Sequence, residues 1–460
     1  MDQNTVFNPE LIQRYDVAGP RYTSYPTAVE FQDGFTEQDY RQHIGLTNNA
    51  PRPLSLYFHL PFCDTVCFYC ACNKIITNNR AHAIPYLQNL HKEITLLGNL
   101  FNRQRRVEQL HWGGGTPTFL SHQQMGELMS ITRQTFNLLD DDQGEFSIEV
   151  DPRETQEDTI AFLRNLGFNR LSLGIQDFDP KVQKAVNRIQ SETRTFAVLS
   201  AARDSGYRSV SVDLIYGLPL QTVASFKNTL EKIIAANPDR LSIFNYAHLP
   251  SRFKVQRQIH SEDLPSASEK LAILRMTIEQ LTDAGYVYIG MDHFAKPDDE
   301  LAVAQRNKQL YRNFQGYSTH AECDLIGMGI TSIGKVGNAY IQNVRDLETY
   351  AALLGENKLP ILRGYELNTD DLIRRDVITG LICHFSLTFA MIEEKYSISF
   401  QQYFGPELSV LSEMEKEGLL RMKDHTIEVL PVGRLLIRNI CMVFDYHLKQ
   451  SQKAQFSKTI

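Results

Sequence analysis

Three features of the sequence predict an α/β chain: an incomplete parallel (β/α)6-type barrel with an extended N-terminal arm and a small, mostly α-helical C-terminal domain. Between about Leu54 and Ala247, short apolar or β-branched runs alternate with amphipathic stretches, the pattern of βαβ units on a parallel sheet. No dinucleotide-binding fingerprint accompanies them. Gly327-Met328-Gly329 lacks the third glycine at the required spacing, which favours an open barrel over a Rossmann sheet. Beyond about residue 365 the alternation stops and helical patterning takes over.

The arm, residues 1–50, contains GPRYTSYPTA (19–28), whose glycine, prolines and aromatics read as extended chain rather than helix. The barrel and its extension are expected over 51–365. Its six strand-like runs are LSLYFHL (54–60), VEQLHW (107–112), FSIEV (146–150), RLSLGI (170–175), SVSVDLI (209–215) and RLSIFNYA (240–247). Helix-like segments lie between them, YLQNLHKEITLLGNLF, QQMGELMSITRQTF, EDTIAFLRNLG and ASFKNTLEKIIAANP, with Gly167, Gly206 and Pro238 as stops. In the expected C-terminal domain, 366–460, TDDLIRRDVITGLICHF and SFQQYFGPELSVLSEMEKEGL read as helices. LLRMKDHTIEVL follows as a hairpin with a charged turn and VGRLLIRNICMVFDYHL as a closing helix, a winged-helix flavour. Cys383 and Cys441 fall on apolar faces there and read as buried structural thiols.

A chain of 460 residues can bury a large core, so folding does not require disulfide staples. Its seven cysteines are an odd number with four in one cluster, and the opening MDQNTVFNPELIQRYDV has no signal-peptide character, so a reducing, cytoplasmic compartment is expected. No run approaches the roughly 18 apolar residues of a membrane helix. A formal net charge of -7 offers nucleic acid no long-range attraction. The one basic run, Arg103-Gln104-Arg105-Arg106, reads as a solvated helix end or loop rather than a phosphate site. No membrane or nucleic-acid partner is expected, and a monomer is.

The cysteine cluster, HLPFCDTVCFYCACNK (59–74), has the spacing Cys63-x3-Cys67-x2-Cys70-x-Cys72. Structural zinc usually draws on paired Cys-x2-4-Cys units from separate loops, and no second pair exists here. A redox dithiol needs only Cys67-x2-Cys70 and leaves Cys63 and Cys72 unexplained. Three thiolates at spacings of 3 and 2 suit three irons of a [4Fe-4S] cubane, leaving one iron open for a substrate. Cys72, one residue beyond Cys70, is poorly placed to reach a different corner. Zinc and dithiol remain the weaker readings.

This spacing, with Tyr69 just before the third cysteine, resembles the radical S-adenosylmethionine superfamily. Further motifs, GPRYTSYPTA, HLPFC, HWGGGTPT (111–118), IEVDPRE (148–154), FNRLSLGIQDF (168–178), VDLIYGLP (212–219), FNYAHLP (244–250), GMDHFAKPDDELAVAQ (290–305), RNFQGY (312–317) and GRLLIRNICM (433–442), resemble those of the oxygen-independent coproporphyrinogen III oxidases nearly end to end. Ala71 stands where relatives are expected to have glycine. The resemblance implies that Cys63, Cys67 and Cys70 hold the cluster while the Cys72 thiol serves the reaction. It implies that Tyr57, Gly114, Glu149 and Ile333 contact the S-adenosylmethionine on the cluster. Tyr69, Gly115, Thr116, Gln176, Arg188, Asp213 and Ala247 would contact a second one. Phe314 and Gln315 match positions tied to activity. Arg21 and Tyr25 in the arm are candidates for the substrate side, and a merely packed arm explains them equally well.

Placement on the predicted elements agrees with this. Active sites of parallel β/α barrels lie at the C-terminal ends of the strands. The cysteines follow the first run, Gly113-Gly114-Gly115-Thr116 the second, Glu149 ends the third, Gln176 follows the fourth, Asp213 lies late in the fifth and Ala247 ends the sixth. Three glycines after a strand suit backbone amides approaching a ligand, or else a tight turn. Glu149 alone is equally a surface carboxylate, and Asp213 between Val212 and Leu214 requires a partner if it lies near a core.

The implied chemistry begins with one electron passed into S-adenosylmethionine, which yields a 5'-deoxyadenosyl radical. That radical takes hydrogen from a substrate propionate, which then loses carbon dioxide and one electron to become a vinyl group. Two rounds convert coproporphyrinogen III to protoporphyrinogen IX, with an electron donor such as a flavodoxin or ferredoxin. The substrate carboxylates call for cationic partners, for which Arg21, Arg188 and Arg312 are candidates. The rival reading is a haem-binding or haem-delivery relative, whose members tend to lack the GPRYTSYPTA arm and the fourth cysteine. A zinc-dependent binding module is a third.

Overall fold

The computed structural model describes residues 5–50, 52–140, 142–450, 456 and 458. Tertiary contacts gather the chain into two compact units interleaved in sequence. One comprises Phe31–Ser266 with Glu322–Glu366; the other takes the chain up to Glu30, Ala267–Ala321 and the chain from Leu367.

The first unit is built on a mixed sheet. Its strands are β1 (Leu54–Leu60), β2 (Arg106–Gly114), β3 (Glu145–Val150), β4 (Arg170–Gln176), β5 (Ser209–Tyr216) and β6 (Arg240–Asn245), followed by β7 (Asp324–Met328), β8 (Ile333–Val336), β9 (Ala339–Asn343) and β10 (Ile361–Glu366). Strands β1 to β6 lie side by side in chain order and are parallel throughout. On the other side of β1, β7 adds in parallel and β8 to β10 continue antiparallel. All six expected runs are strands within two residues of their expected ends. The β7–β10 extension carries no regular βαβ spacing and was not visible as strands in the sequence.

Alternation explains both faces. In β3, β4 and β5 every second residue is buried: Phe146, Ile148 and Val150; Leu171, Leu173 and Ile175; Val210, Val212 and Leu214. The helices His122–Thr135, Glu157–Asn165, Glu192–Asp204 and Val223–Ala236 bury apolar residues of their own, among them Met125, Leu128, Ile160, Leu163, Val198, Phe226, Leu230 and Ile233. Trp112 meets the Phe168 ring edge-on at 4.9 Å between centroids. At about 25 cal/mol per Å2 of apolar area, this layer is the main source of the unit's stability. The alternate residues form the other, half-buried face: His111, Ser147, Glu149, Ser172, Gly174, Gln176 and Asp213. That face carries the polar groups because the helix-facing side has no room for them. The helix ends follow local chemistry. Ser121 and Gln124 form a reciprocal capping box, and Asn237 takes the left-handed conformation that ends its helix ahead of Pro238.

The second unit is mostly helical. Thr369–His384 is its longest C-terminal helix, and Leu420–Lys423 pairs with Thr426–Val429 in the expected hairpin, to which Ser386–Thr388 adds a third strand. The expected closing helix is three short helices, Pro431–Leu435, Ile437–Val443 and Tyr446–Gln450, with the buried Leu436 and Phe444 at the breaks. Gly405 and Pro406 likewise split the preceding segment into Phe400–Tyr403 and Gly405–Lys416.

In the N-terminal arm GPRYTSYPTA carries no α-helix, as expected, but the arm as a whole is not extended. Helices Pro9–Tyr15 and Glu37–Asn48 form in it, and between them Tyr22 and Tyr25 are almost fully buried. Arg438 donates to the Gly19 and Pro20 carbonyls, and the Tyr22 hydroxyl donates to Asp445 at 2.8 Å. These long-range partners supply what local propensity lacks. Among the described residues no helix is long and apolar enough to cross a membrane.

Candidate functional site

The cysteine loop leaves the end of β1 and is pinned at both ends. Phe62–Cys63 pairs in parallel with Ile75–Ile76, while the Ile75 amide donates to the Pro61 carbonyl at 2.7 Å. Cys67 and Cys70 bracket a turn closed by the Cys70 amide on the Cys67 carbonyl, 3.1 Å. Phe68 and Tyr69 anchor that turn by packing on Val182, Val186, Leu218, Tyr246 and Ile259. The Phe68 amide donates to Val186 and Gln256 donates to the Tyr69 carbonyl, so the loop is held from several later segments. Lys74 reaches back to the carbonyls of Cys70 and Cys72 at 3.2 and 3.4 Å.

All four thiols are free of disulfides and line one cleft, with Gly114, Gly115, Thr116, Glu149, Asp151, Arg153, Ser172, Gly174, Gln176, Arg188 and Asp213. The Thr116 hydroxyl donates to Cys63 Sγ at 3.6 Å, and Arg153 and Arg188 donate to Cys67 Sγ at 3.5 and 3.6 Å. Burial pushes the Cys63 thiol up to about 12 despite Thr116. A hydrogen bond shared between Cys70 and Cys72 lowers the first thiol and raises the second, with Lys74 also favouring the Cys70 thiolate. Three thiols on one loop are a soft, sulfur-only donor set of the kind that takes an iron–sulfur cluster. The buried Gln176 Oε1 has no hydrogen-bond partner among the described residues, an acceptor left for a ligand in the cleft. The residues present therefore fit the cofactors that the sequence implies.

The glycines act differently from the expected amide cradle. The Gly114 amide donates to Glu149 Oε2 at 3.0 Å, Gly115 to the Leu60 carbonyl at 2.8 Å and Thr116 to the Phe62 carbonyl at 2.7 Å, so these amides are already engaged. Glycine is required there for close approach. A Cβ on Gly115 would stand 2.6 Å from the Pro61 carbonyl carbon, and Gly114 has φ +110° with the His59 ring 2.5 Å from where its Cβ would be.

Glu149 is placed by register. Tyr57, His111 and Ser147 form one cross-strand row, and Glu149 lies one step further along β3. His111 Nδ1 bonds to Ser147 Oγ at 2.6 Å and Nε2 to Glu149 Oε1 at 3.3 Å. Tyr57 stacks on His111 at 5.8 Å, and its hydroxyl lies 3.1 Å from His59 Nδ1. His59 Nε2 faces the Asn73 carbonyl at 3.0 Å, so Nε2 carries the proton and Nδ1 accepts from Tyr57. Burial in the cleft works to raise the Glu149 carboxyl, but His111 and the Gly114 amide outweigh it and hold it below its ordinary value. Its side chain still keeps 44% exposure, enough for a ligand to reach it. Asp213 is pushed up to about 6 by burial and by Glu149, against hydrogen bonds from Ser172 and Ser242. It has the partners its place between two core residues demanded.

Arg188 is buried and bound on three sides: to Asp151 at 2.9 Å, to the Gly174 carbonyl and to Cys67 Sγ. Asp151 also pairs with Arg153 at 2.7 Å, and the two guanidiniums overcome burial to hold its carboxyl down to about 2. Asp151, Arg153, His59, His111 and Lys74 were not singled out in the sequence. The signal for the first two was present in IEVDPRE, a charged run immediately past a strand end.

Ala247 and Ile333 do not line this cleft. The Ala247 carbonyl accepts from Gln256 at 3.3 Å, and Ile333 begins β8 opposite Gln342. Phe314 and Gln315 form the turn of the Tyr311–Asn313/Gly316–Ser318 hairpin in the second unit, where Arg21 pairs with Asp292 at 2.7 Å. The Tyr25 hydroxyl accepts from the Tyr446 amide at 3.1 Å inside that unit's core, which favours a packing role.

Comparison with known proteins is consistent along the whole chain. Residues 57–233 match the model of the Radical SAM superfamily, and 367–436 that of the HemN C-terminal domain. The chain is 52% identical to the oxygen-independent coproporphyrinogen III oxidase of Pseudomonas aeruginosa over 99% of each chain. It is 51% identical to that of Escherichia coli K12 over 98% of each. The solved coproporphyrinogen III oxidase (HemN) from Escherichia coli, described as a radical SAM enzyme, superposes with a TM-score of 0.92 at 49% identity, covering 96% of this chain and all of the other.

Proposed function

Since the chain belongs to the oxygen-independent coproporphyrinogen III oxidase family of radical SAM enzymes, we propose that it oxidatively decarboxylates two propionates of coproporphyrinogen III to vinyl groups, giving protoporphyrinogen IX in porphyrin biosynthesis. The observation that carries this reading within the molecule is the convergence of Cys63, Cys67, Cys70, Glu149, Gln176 and Asp213, from four strand ends, on one cleft. We read the six parallel strands as an incomplete barrel whose C-terminal rim is that cleft. Cys63, Cys67 and Cys70 would hold a [4Fe-4S] cluster, and two S-adenosylmethionine molecules would bind beside it. When bound, these groups supply a one-electron cleavage that delivers a hydrogen-abstracting radical.

The protein's own residues bind, orient and shield. Glu149, kept ionised by His111 and Gly114, presents a carboxylate to the ammonium of the first S-adenosylmethionine, and Tyr57 braces His111 from behind. Gln176 offers its free Oε1, and Asp213 its carboxyl, to the second. Thr116, Arg153 and Arg188 donate to cysteine sulfurs, stabilising their anionic form as ligands. Cys72, next to the cluster loop but outside the ligand set, serves the reaction, and Phe314 and Gln315 belong to the substrate side. A cytoplasmic monomer drawing electrons from a flavodoxin- or ferredoxin-type donor completes the reading.

The test is an anaerobic incubation of reconstituted protein with S-adenosylmethionine, a one-electron reductant, coproporphyrinogen III and an electron acceptor. Formation of protoporphyrinogen IX with 5'-deoxyadenosine is expected. Tight haem binding without decarboxylation would refute the reading in favour of a haem carrier.

A further inference from the structure

Arg312 is a buried cation with no ion-pair partner among the described residues. The hairpin Tyr311–Asn313/Gly316–Ser318 sets it directly opposite Tyr317, and its guanidinium carbon lies 4.7 Å from the centroid of that ring. Its residue is 7% exposed, and its Nε and one terminal nitrogen are buried without a hydrogen-bond partner among the described residues. Buried arginines are ordinarily paired. Two others in the same unit show the ordinary case. Arg374 is bound by Asp370, Glu407 and the Phe444 carbonyl, and Arg438 donates to the carbonyls of Gly19, Pro20 and Lys458.

A second donor without a partner stands close by in sequence and on the same hairpin. Gln315 Nε2 is buried with no hydrogen-bond partner among the described residues, while the Gln315 amide is held by Asn313 Oδ1 at 2.9 Å, which fixes the turn. The surroundings are positive. The Arg438 guanidinium is lowered to about 10 by burial first and by Arg21 next, with Arg312 adding to this against the opposing effect of Asp292 and Tyr22. The carboxylate in this group, Asp292, is already taken by Arg21. Tyr317 and Cys383, which also face Arg312, are kept neutral by burial.

A planar guanidinium fork and an amide N–H donor, both desolvated and lacking an acceptor, match a carboxylate in geometry and charge. We propose that Arg312 and Gln315 form a carboxylate site that takes one propionate of the tetrapyrrole, an assignment that rests on the functional reading above. The unpaired charge is thus kept ready for a ligand that supplies the missing acceptor, and Tyr317 holds the guanidinium plane in place through its ring face.

Binding of coproporphyrin III, the oxidised tetra-acid, and of its tetramethyl ester is compared in reconstituted wild-type, Arg312→Met and Arg312→Lys proteins. Wild type should prefer the acid, and Arg312→Met should lower the acid-to-ester affinity ratio by about ten- to a hundredfold, the loss of a charge-assisted pair. Arg312→Lys should fall between, because it keeps the charge and loses the fork. Ligand-free Arg312→Met should melt at or above the wild-type temperature, since an unpaired buried charge has been removed. An unchanged acid-to-ester ratio in Arg312→Met overturns the site, whatever happens to melting, and so identifies a purely structural arginine. Wild-type protein that binds neither tetrapyrrole refutes the functional reading itself, and with it the ligand named here.

Discussion

Gly115→Ala presses a methyl group into backbone rather than into side chains. The new Cβ would lie 2.6 Å from the Pro61 carbonyl carbon, 2.7 Å from the Phe62 oxygen and 2.8 Å from the Leu60 oxygen. None of these atoms can rotate away, so the two segments must separate. Separation breaks the hydrogen bonds from the Gly115 amide to Leu60 and from the Thr116 amide to Phe62. Overpacking costs about 1–3 kcal/mol and each lost hydrogen bond about 1 kcal/mol, which together suggest about 3–5 kcal/mol. The cost falls on the cysteine loop, because Phe62–Cys63 opens it. The assay is iron and acid-labile sulfide per chain after anaerobic reconstitution, with a thermal melt of the same sample. Gly115→Ala should lose most of its iron and melt several degrees earlier. Gly113→Ala is the control: the three atoms nearest its Cβ belong to side chains, Glu149 Oε1 and His111 Nε2 at 2.8 Å and Glu149 Cδ at 2.9 Å, which can give way. That variant should keep its iron and bind S-adenosylmethionine more weakly. Wild-type iron content and melting in Gly115→Ala would refute the reasoning.

Alanine at Cys63, Cys67 or Cys70 should abolish the cluster, whereas Cys72→Ala should keep iron and lose turnover; complete iron loss in Cys72→Ala would place that thiol among the ligands. Asp213, raised to about 6, still holds its proton where an unfolded chain, with a carboxyl near pKa 4, has released it. Native stability from this group therefore falls as pH rises from about 4 to 6. Asp213→Asn should melt above wild type at pH 7 and converge with it below about pH 4, as melting scans across pH would show. Glu149 has the opposite sign. Its lowered carboxyl contributes stability above the ordinary carboxylate range that is lost as pH falls through its own value, so Glu149→Gln should cost S-adenosylmethionine affinity at neutral pH while cluster content is retained. Deleting residues 1–28 should lower the melting temperature of the second unit, because Arg438 loses its Gly19 and Pro20 acceptors and Tyr22 and Tyr25 leave the core; a truncated chain that melts like the full one would refute this packing role.

What the sequence determined by itself was the local record: six strands, the helices between them, and the candidate site residues gathered at the strands' C-terminal ends. Period-two alternation in FSIEV or SVSVDLI, a capping serine before QQMGEL and a glycine after LRNL act over a few residues and need no knowledge of the rest of the chain. Cysteine spacing is equally local, so the cysteine loop was legible as a candidate cluster site from HLPFCDTVCFYC alone. Tertiary structure alone decided which of these groups meet. His111 and Glu149 are 38 positions apart and are joined by the pairing register of two strands, not by any shared motif. The same holds for Arg188 and Asp151, 37 positions apart, whose ion pair forms beside the cysteine loop. GPRYTSYPTA has no propensity for regular structure, and it is buried only because Arg438 and Asp445, more than 400 positions away, satisfy its carbonyls and hydroxyl. Arg312 shows the limit most clearly: its charge is visible in the sequence, but whether a buried arginine is paired or left open to a ligand depends on where every other carboxylate in the unit is spent.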